Sequence, residues 1–198
     1  GEPRVRIERE GTTAYLKVAY HAPAVDHEDF APMLVLDAVL TGAKGLNLWS
    51  SFRGAVPQRR ARLYRTLVDG GLAAAVNGAF VATADPYLFM VSATARDGVD
   101  LDALEAQTLH ALDAVAGGAL EAADVTRAQR QLRARLVLEN DSITNIGHQI
   151  GFFDVVGGPG VLQAMPGRIA AVTPDDVARV AARYLTTANR TIGRLDPV

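Results

Sequence analysis

The chain has 198 residues, a formal net charge of −2 and no cysteine, with 49 % hydrophobic and 21 % charged residues. That length suits one domain with a core of ordinary size, and the balance excludes a disordered chain. The small net charge sets up no global field for nucleic acid or an anionic membrane, and the lack of cysteine excludes disulfides and thiolate metal sites. No stretch is apolar over the roughly 18 residues that a membrane helix needs. The chain opens Gly1-Glu2-Pro3 instead of with methionine, and the expectation is that sequence lies upstream of it.

Residues 1–12 form an exposed lead-in, in which arginine and glutamate alternate around Val5 and Ile7. From Thr13 to His21, β-branched and aromatic residues in partial alternation predict a strand that Pro23 ends. A helix follows, with Asp26 as its cap, Asp29 three positions on, Phe30, Leu34 and Val35 at helical spacing, and Gly42 as its stop. Residues 42–57 read as a glycine-containing loop with a short helical piece near Trp49 and Phe52.

Arg59 to Asp69 reads as a second helix. Leu63, Tyr64, Leu67 and Val68 lie on one side of it, and Arg62, Arg65 and Asp69 on the other, with Gly70-Gly71 ending it. Leu72–Ala84 and Tyr87–Arg96 read as two strands of a hairpin turning at Asp85-Pro86. Three helical stretches come next: Leu101–Ala116, Ala122–Asn140 with Val125, Ala128, Leu132 and Leu136 as its apolar stripe, and Ser142–Val156 with Ile143, Ile146, Ile150 and Phe153 in phase. Residues 157–160 form a turn. Thr173, Pro174 and Asp176 then mark a helix start, with Val177, Val180, Ala181, Tyr184 and Leu185 as the buried face, before a last strand over 189–195. Strands, then helices, then a returning strand predict a single α+β domain, residues 1–198, with helices packed on a mostly antiparallel sheet.

Zinc peptidase chemistry needs two histidines on one helix face, a third ligand, and a carboxylate that takes a proton from the bound water. Neither H-E-x-x-H nor H-x-x-E-H occurs, and no two of His21, His27, His110 and His148 are spaced i, i+4. His148 shares a helix side with Phe152, so its partial burial is expected. There is no G-x-S-x-G elbow, P-loop or dinucleotide fingerprint. Arg53, Arg59, Arg60, Arg62 and Arg65 fall close together without an acidic residue among them. They read either as a solvated helix face, with Arg65 and Asp69 paired at i, i+4, or as a surface for carboxylates, phosphates or an acidic partner.

Four passages resemble the C-terminal half of the M16 zinc peptidases, the pitrilysin, insulinase and mitochondrial-processing-peptidase group. Residues 14–40, "AYLKVAYHAPAVDHEDFAPMLVLDAVL", resemble that half's opening strand and first helix. Residues 62–76, "RLYRTLVDGGLAAAV", resemble its central helix and the strand after it. Residues 124–142, "DVTRAQRQLRARLVLENDS", resemble its long helix, and 168–197 its closing helix and strand.

The resemblance implies half of a LuxS/MPP-like metallohydrolase clamshell. In that family the zinc ligands and the general-base glutamate belong to the N-terminal half, so no cofactor is expected in this chain and zinc is expected in the other half. The expected partners are that half or a homologous subunit, a peptide substrate and a further copy of the chain, with neither nucleic acid nor membrane. A bacterial cytoplasm or periplasm suits the family. Many members pair an arginine on this helix with a tyrosine just past its terminal glycine to hold the substrate backbone. Here those positions hold Val68 and Ala74, which leaves Arg62 and Arg65 as candidate substrate contacts. The resemblance also admits a wholly inactive partner or assembly subunit. Apart from it, the arginines admit a stand-alone anion- or protein-binding module.

Overall fold

A computed structural model describes residues 1–46, 58–138 and 142–198. The helical piece expected near Trp49 and Phe52, the candidate Arg53, and the expected final residue Asn140 of the long helix lie outside the described residues. Five strands, β1 (Arg4–Arg9), β2 (Tyr15–Ala22), β3 (Ala73–Ala79), β4 (Tyr87–Ala95) and β5 (Arg190–Pro197), form one sheet in the order β1-β5-β2-β4-β3. All neighbouring pairs are antiparallel except β1 with β5, which run parallel from Arg4↔Ile192 to Arg9↔Pro197.

The alternation read in β2 is a true two-residue period. Leu16, Val18, Tyr20 and Ala22 are buried, while Tyr15, Lys17 and His21 face solvent. Phe89, Val91, Ala93 and Ala95 of β4 continue the same inner face. On it lies α1 (Phe30–Thr41), in which every residue is buried. A helix buried all round needs apolar neighbours on every side. α1 touches β3 as well as the later helices α3 (Ala122–Leu138), α5 (Val161–Ala171) and α6 (Pro174–Tyr184). Each Leu or Phe that it buries contributes about 1.5–3 kcal/mol. Two further helices, α2 (Leu101–Ala116) and α4 (Ile143–Gly157), begin with the side-chain caps Asp100 and Ser142.

Several expectations need correction. α1 starts at Phe30, with Asp29 instead of Asp26 in the cap position, and the Asp29 carboxylate is engaged by distant arginines and makes no cap hydrogen bond. β3 stops at Ala79, short of Ala84: residues 80–83 leave the sheet to cover the loop before α1, where Val25 N–H bonds the Thr83 carbonyl at 3.0 Å. Tyr64–Asp69 winds as a π-helix within the expected helix. α5 has no counterpart in the sequence reading, because it starts at a left-handed glycine, Gly160, without a capping side chain and carries Pro166 inside. Of the four in-phase residues in α4, only Phe153 is buried, and His148 is exposed.

Candidate functional site

Among the described arginines of this cluster, Arg59, Arg60 and Arg62 precede the π-helix and Arg65 lies on it, and they do different things there. Leu63 and Leu67 anchor the segment in the core. Arg62 is half-buried, and its guanidinium donates to the Ala119 carbonyl in the turn after α2. Arg65 points to solvent and has no partner among the described residues; the expected Arg65–Asp69 pair is not formed. Arg59 and Arg60 are exposed as well. π-turns inside helices are frequent at functional sites, since they displace side chains from the α-helical register.

β3 opens with a bulge between Ala73 and Ala75. Ala73 is buried opposite Ala95, while Val76 and Gly78 sit opposite the buried Ala93 and Val91. An odd-numbered and two even-numbered residues share the inner face only because Ala74 is the extra residue. Ala74 is exposed, so the backbone presents its side chain to solvent, but that side chain is a methyl group.

Under this strand lies a buried carboxylate that the sequence reading missed. Asp37 of α1 receives Lys44 Nζ at 2.8 and 3.0 Å and Thr41 Oγ1 at 2.5 Å, and Lys44 also bonds Thr41 Oγ1 at 2.6 Å. A Cβ on Gly78 would fall 2.3 Å from Thr41 Oγ1 and 2.5 Å from Asp37 Oδ1. The sequence signal was there: one aspartate in the apolar run "LVLDAVLTGAK", with threonine four residues on and lysine seven.

A family model described as the peptidase M16 inactive domain matches residues 1–132. The chain belongs to that family. It is 26 % identical over 185 residues to the mitochondrial-processing peptidase subunit beta of Lentinula edodes, covering 93 % of this chain and 38 % of that protein. It thus spans well under half the length of the curated relatives it matches. Its fold is similar to a protease from Helicobacter pylori (TM-score 0.84, 17 % identity, 100 % of this chain and 44 % of that one). It is also similar to an inactive peptidase domain from Bordetella parapertussis (TM-score 0.77, 23 % identity, 96 % of each chain).

The zinc of active M16 peptidases has no fitting ligand set among the described residues. His21 lies on β2, His27 before α1, His110 on α2 and His148 on α4, and no three His, Asp or Glu side chains are placed to hold a metal. The described residues of this M16 domain therefore supply no metal centre.

Its most heavily engaged carboxylate has a holding role instead. Asp29 is fully buried and accepts from Arg179 at 2.5 Å, Arg183 at 2.8 Å and the Tyr184 hydroxyl at 2.9 Å. Burial pushes its carboxyl up, yet the hydrogen bonds from Arg179 and Tyr184 outweigh burial and hold it below the usual aspartate value. Burial and the same hydrogen bond push the Tyr184 phenol up to about 12. Arg168 adds bonds to the Val25 and His27 carbonyls at 2.9 and 2.7 Å, so α5 and α6 together clamp the loop before α1.

Proposed function

We propose that this domain is the closing wall of a peptide chamber, set against an N-terminal M16 half, or a homologous subunit, that carries the zinc and the general base. The observation that carries the reading is membership of the inactive-domain family, with a mitochondrial-processing peptidase subunit among the proteins that the chain resembles. Arg65 is assigned the contact with the peptide backbone: it is exposed on the π-helix, which packs against the bulged strand β3. Arg62 braces that segment through Ala119. Ile143, Ile146 and Ile150, exposed by 90, 36 and 56 % at i, i+3 and i+7 along α4, offer an apolar face for the other half or for a second copy.

The test is reconstitution. The domain alone is expected to give no chelator-sensitive peptide hydrolysis, and addition of the zinc-bearing half restores it. Arg65→Ala then raises KM several-fold with little change in kcat. Hydrolysis by the domain alone, or an unchanged KM in the variant, overturns the reading.

A second reading, a partner or assembly subunit of a wholly inactive M16 protein, is favoured by Val68 and Ala74, which supply no hydrogen bond where the family's arginine and tyrosine stand. It is separated from the first by the upstream sequence of the native polypeptide. H-x-x-E-H there supports the chamber wall, and its absence together with a co-purifying active subunit supports the partner role.

A further inference from the structure

α3 carries four arginines, and they are not equivalent. Arg127 is paired with Asp124 one turn back. Arg130 and Arg133 are exposed and have no acidic partner among the described residues. They stand on the rim of an open groove of about 390 Å³, whose remaining lining is Ala134, Leu136 and Val137 of α3 and Pro166 of α5. Arg130, Ala134 and Val137 recur at i, i+4 and i+7, so the charge and the apolar surface lie along one side of the helix. Val137 is 72 % exposed, whereas Leu136 reaches down into the core.

The two walls are held at a fixed separation. Gln129 Nε2 donates to the carbonyls of Ile169 and Val172, each at 2.8 Å, which ties α3 to the end of α5. A groove braced in this way loses little order when it is filled.

We propose that this groove docks a partner protein segment in which a glutamate or aspartate stands beside a large apolar side chain. The planar guanidinium forks match carboxylates in bidentate geometry, and Val137, Ala134 and Pro166 accept the neighbouring apolar group. Charge complementarity selects the occupant: two cations with no acidic partner among the described residues, beside an apolar floor, discriminate against basic segments and against purely polar acidic ones. The inference does not depend on the chamber reading, since the groove is lined by α3 and α5 and by no residue of the π-helix or β3.

The probe is a fluorescein-labelled peptide alternating glutamate and leucine, titrated with the full 198-residue chain and read by anisotropy. Binding is expected to saturate, to weaken with added salt, and to fall about tenfold in the double variant Arg130→Glu/Arg133→Glu. Val137→Ser weakens it as well, whereas Arg9→Glu on β1 leaves it unchanged. All of these positions are exposed, and circular dichroism confirms that each variant is folded. Unsaturable binding, or an unchanged affinity in the double variant, overturns the proposal. So does equal affinity for a glutamate–serine peptide, which marks a general anion patch, or preferential binding to phosphatidylglycerol vesicles, which marks a membrane surface.

Discussion

The two edges of the sheet are held by opposite means. β1 exposes all six of its residues, Val5 and Ile7 included, and is fastened through charge. Arg4 donates to Glu2 at 2.8 Å and to Glu105 at 2.6 Å, and Arg6 to Asp196 at 2.9 Å. β3 has no charged residue at all. It is seated by shape, with Gly78 lying so close to α1 that no Cβ fits between them. Charge also blunts β1 against pairing with another chain, a task that on β3 falls to the bulge at Ala74. An edge fastened by exposed ion pairs comes apart piecemeal and cheaply, whereas an edge fastened by close approach fails at one residue.

The largest effect is expected at that residue. Gly78→Ala puts a methyl group into Thr41 and the Asp37 carboxylate and is expected to destabilise the domain by about 2–3 kcal/mol. Thermal unfolding of Gly78→Ala, Thr41→Ala and the double variant forms a cycle: the double variant recovers part of the loss, because the nearest clashing atom is gone. Full additivity would show that β3 is not seated on Thr41.

Next comes the buried end of the β1 fastening. Arg190 of β5, 5 % exposed, is held by Glu2 and by Asp113 at 2.8 Å. Glu2→Ala leaves that guanidinium with one carboxylate and is expected to cost about 1–2 kcal/mol in chemical denaturation. The effect should depend on pH. Burial pushes Glu2 up, but hydrogen bonds from Arg190 and Arg4 outweigh it and place its pKa below the ordinary value. A carboxylate depressed in the folded state stabilises above its unfolded pKa and loses that contribution as the pH falls through the folded value. The gap between wild type and Glu2→Ala should therefore be full at neutral pH and close in acid below about pH 4.5. A gap that widens in acid would overturn the assignment.

Arg6, by contrast, is 63 % exposed, and Arg6→Ala is expected to change stability by no more than about 0.5 kcal/mol, less at high salt. A loss as large as that of Glu2→Ala would mean that the exposed pairs on β1 act as one network.

The strands and helices that follow local rules were legible in the sequence. The inner face of β2 came from alternation, and the start of α6 from Thr173, Pro174 and Asp176, of which Thr173 and Asp176 form a reciprocal capping box at 3.0 and 3.1 Å. What escaped depends on residues far apart. Asp29 looked like part of a helix start because its arginines lie 150 and 154 residues away. The bulge was invisible in "AAAV", where no residue type marks which alanine is extra. The π-turn has no sequence signature of its own, and Pro166 disguised α5. The candidate arginines were legible as residues but not in their roles: nothing in the spacing says that Arg62 is spent on Ala119 while Arg65 finds no partner among the described residues.

The smallest expected effect bears most directly on what the uncharged edge is for. Ala74 is the bulged residue, exposed and outside the ladder pairing, so a large side chain there meets solvent and displaces nothing. Ala74→Tyr is expected to change stability by less than about 0.5 kcal/mol, within the range of surface substitutions. In the reconstituted pair of halves, the added phenol supplies a hydrogen bond that the methyl group lacks, and KM for a peptide substrate should fall with kcat nearly unchanged, as for a contact made equally in the ground and transition states. An unchanged KM in a folded variant would mean that β3 faces away from the peptide, and the exposed Arg65 would then need another explanation. A lower KM would mean that the backbone still presents this position to a ligand even though its side chain has shrunk to a methyl group.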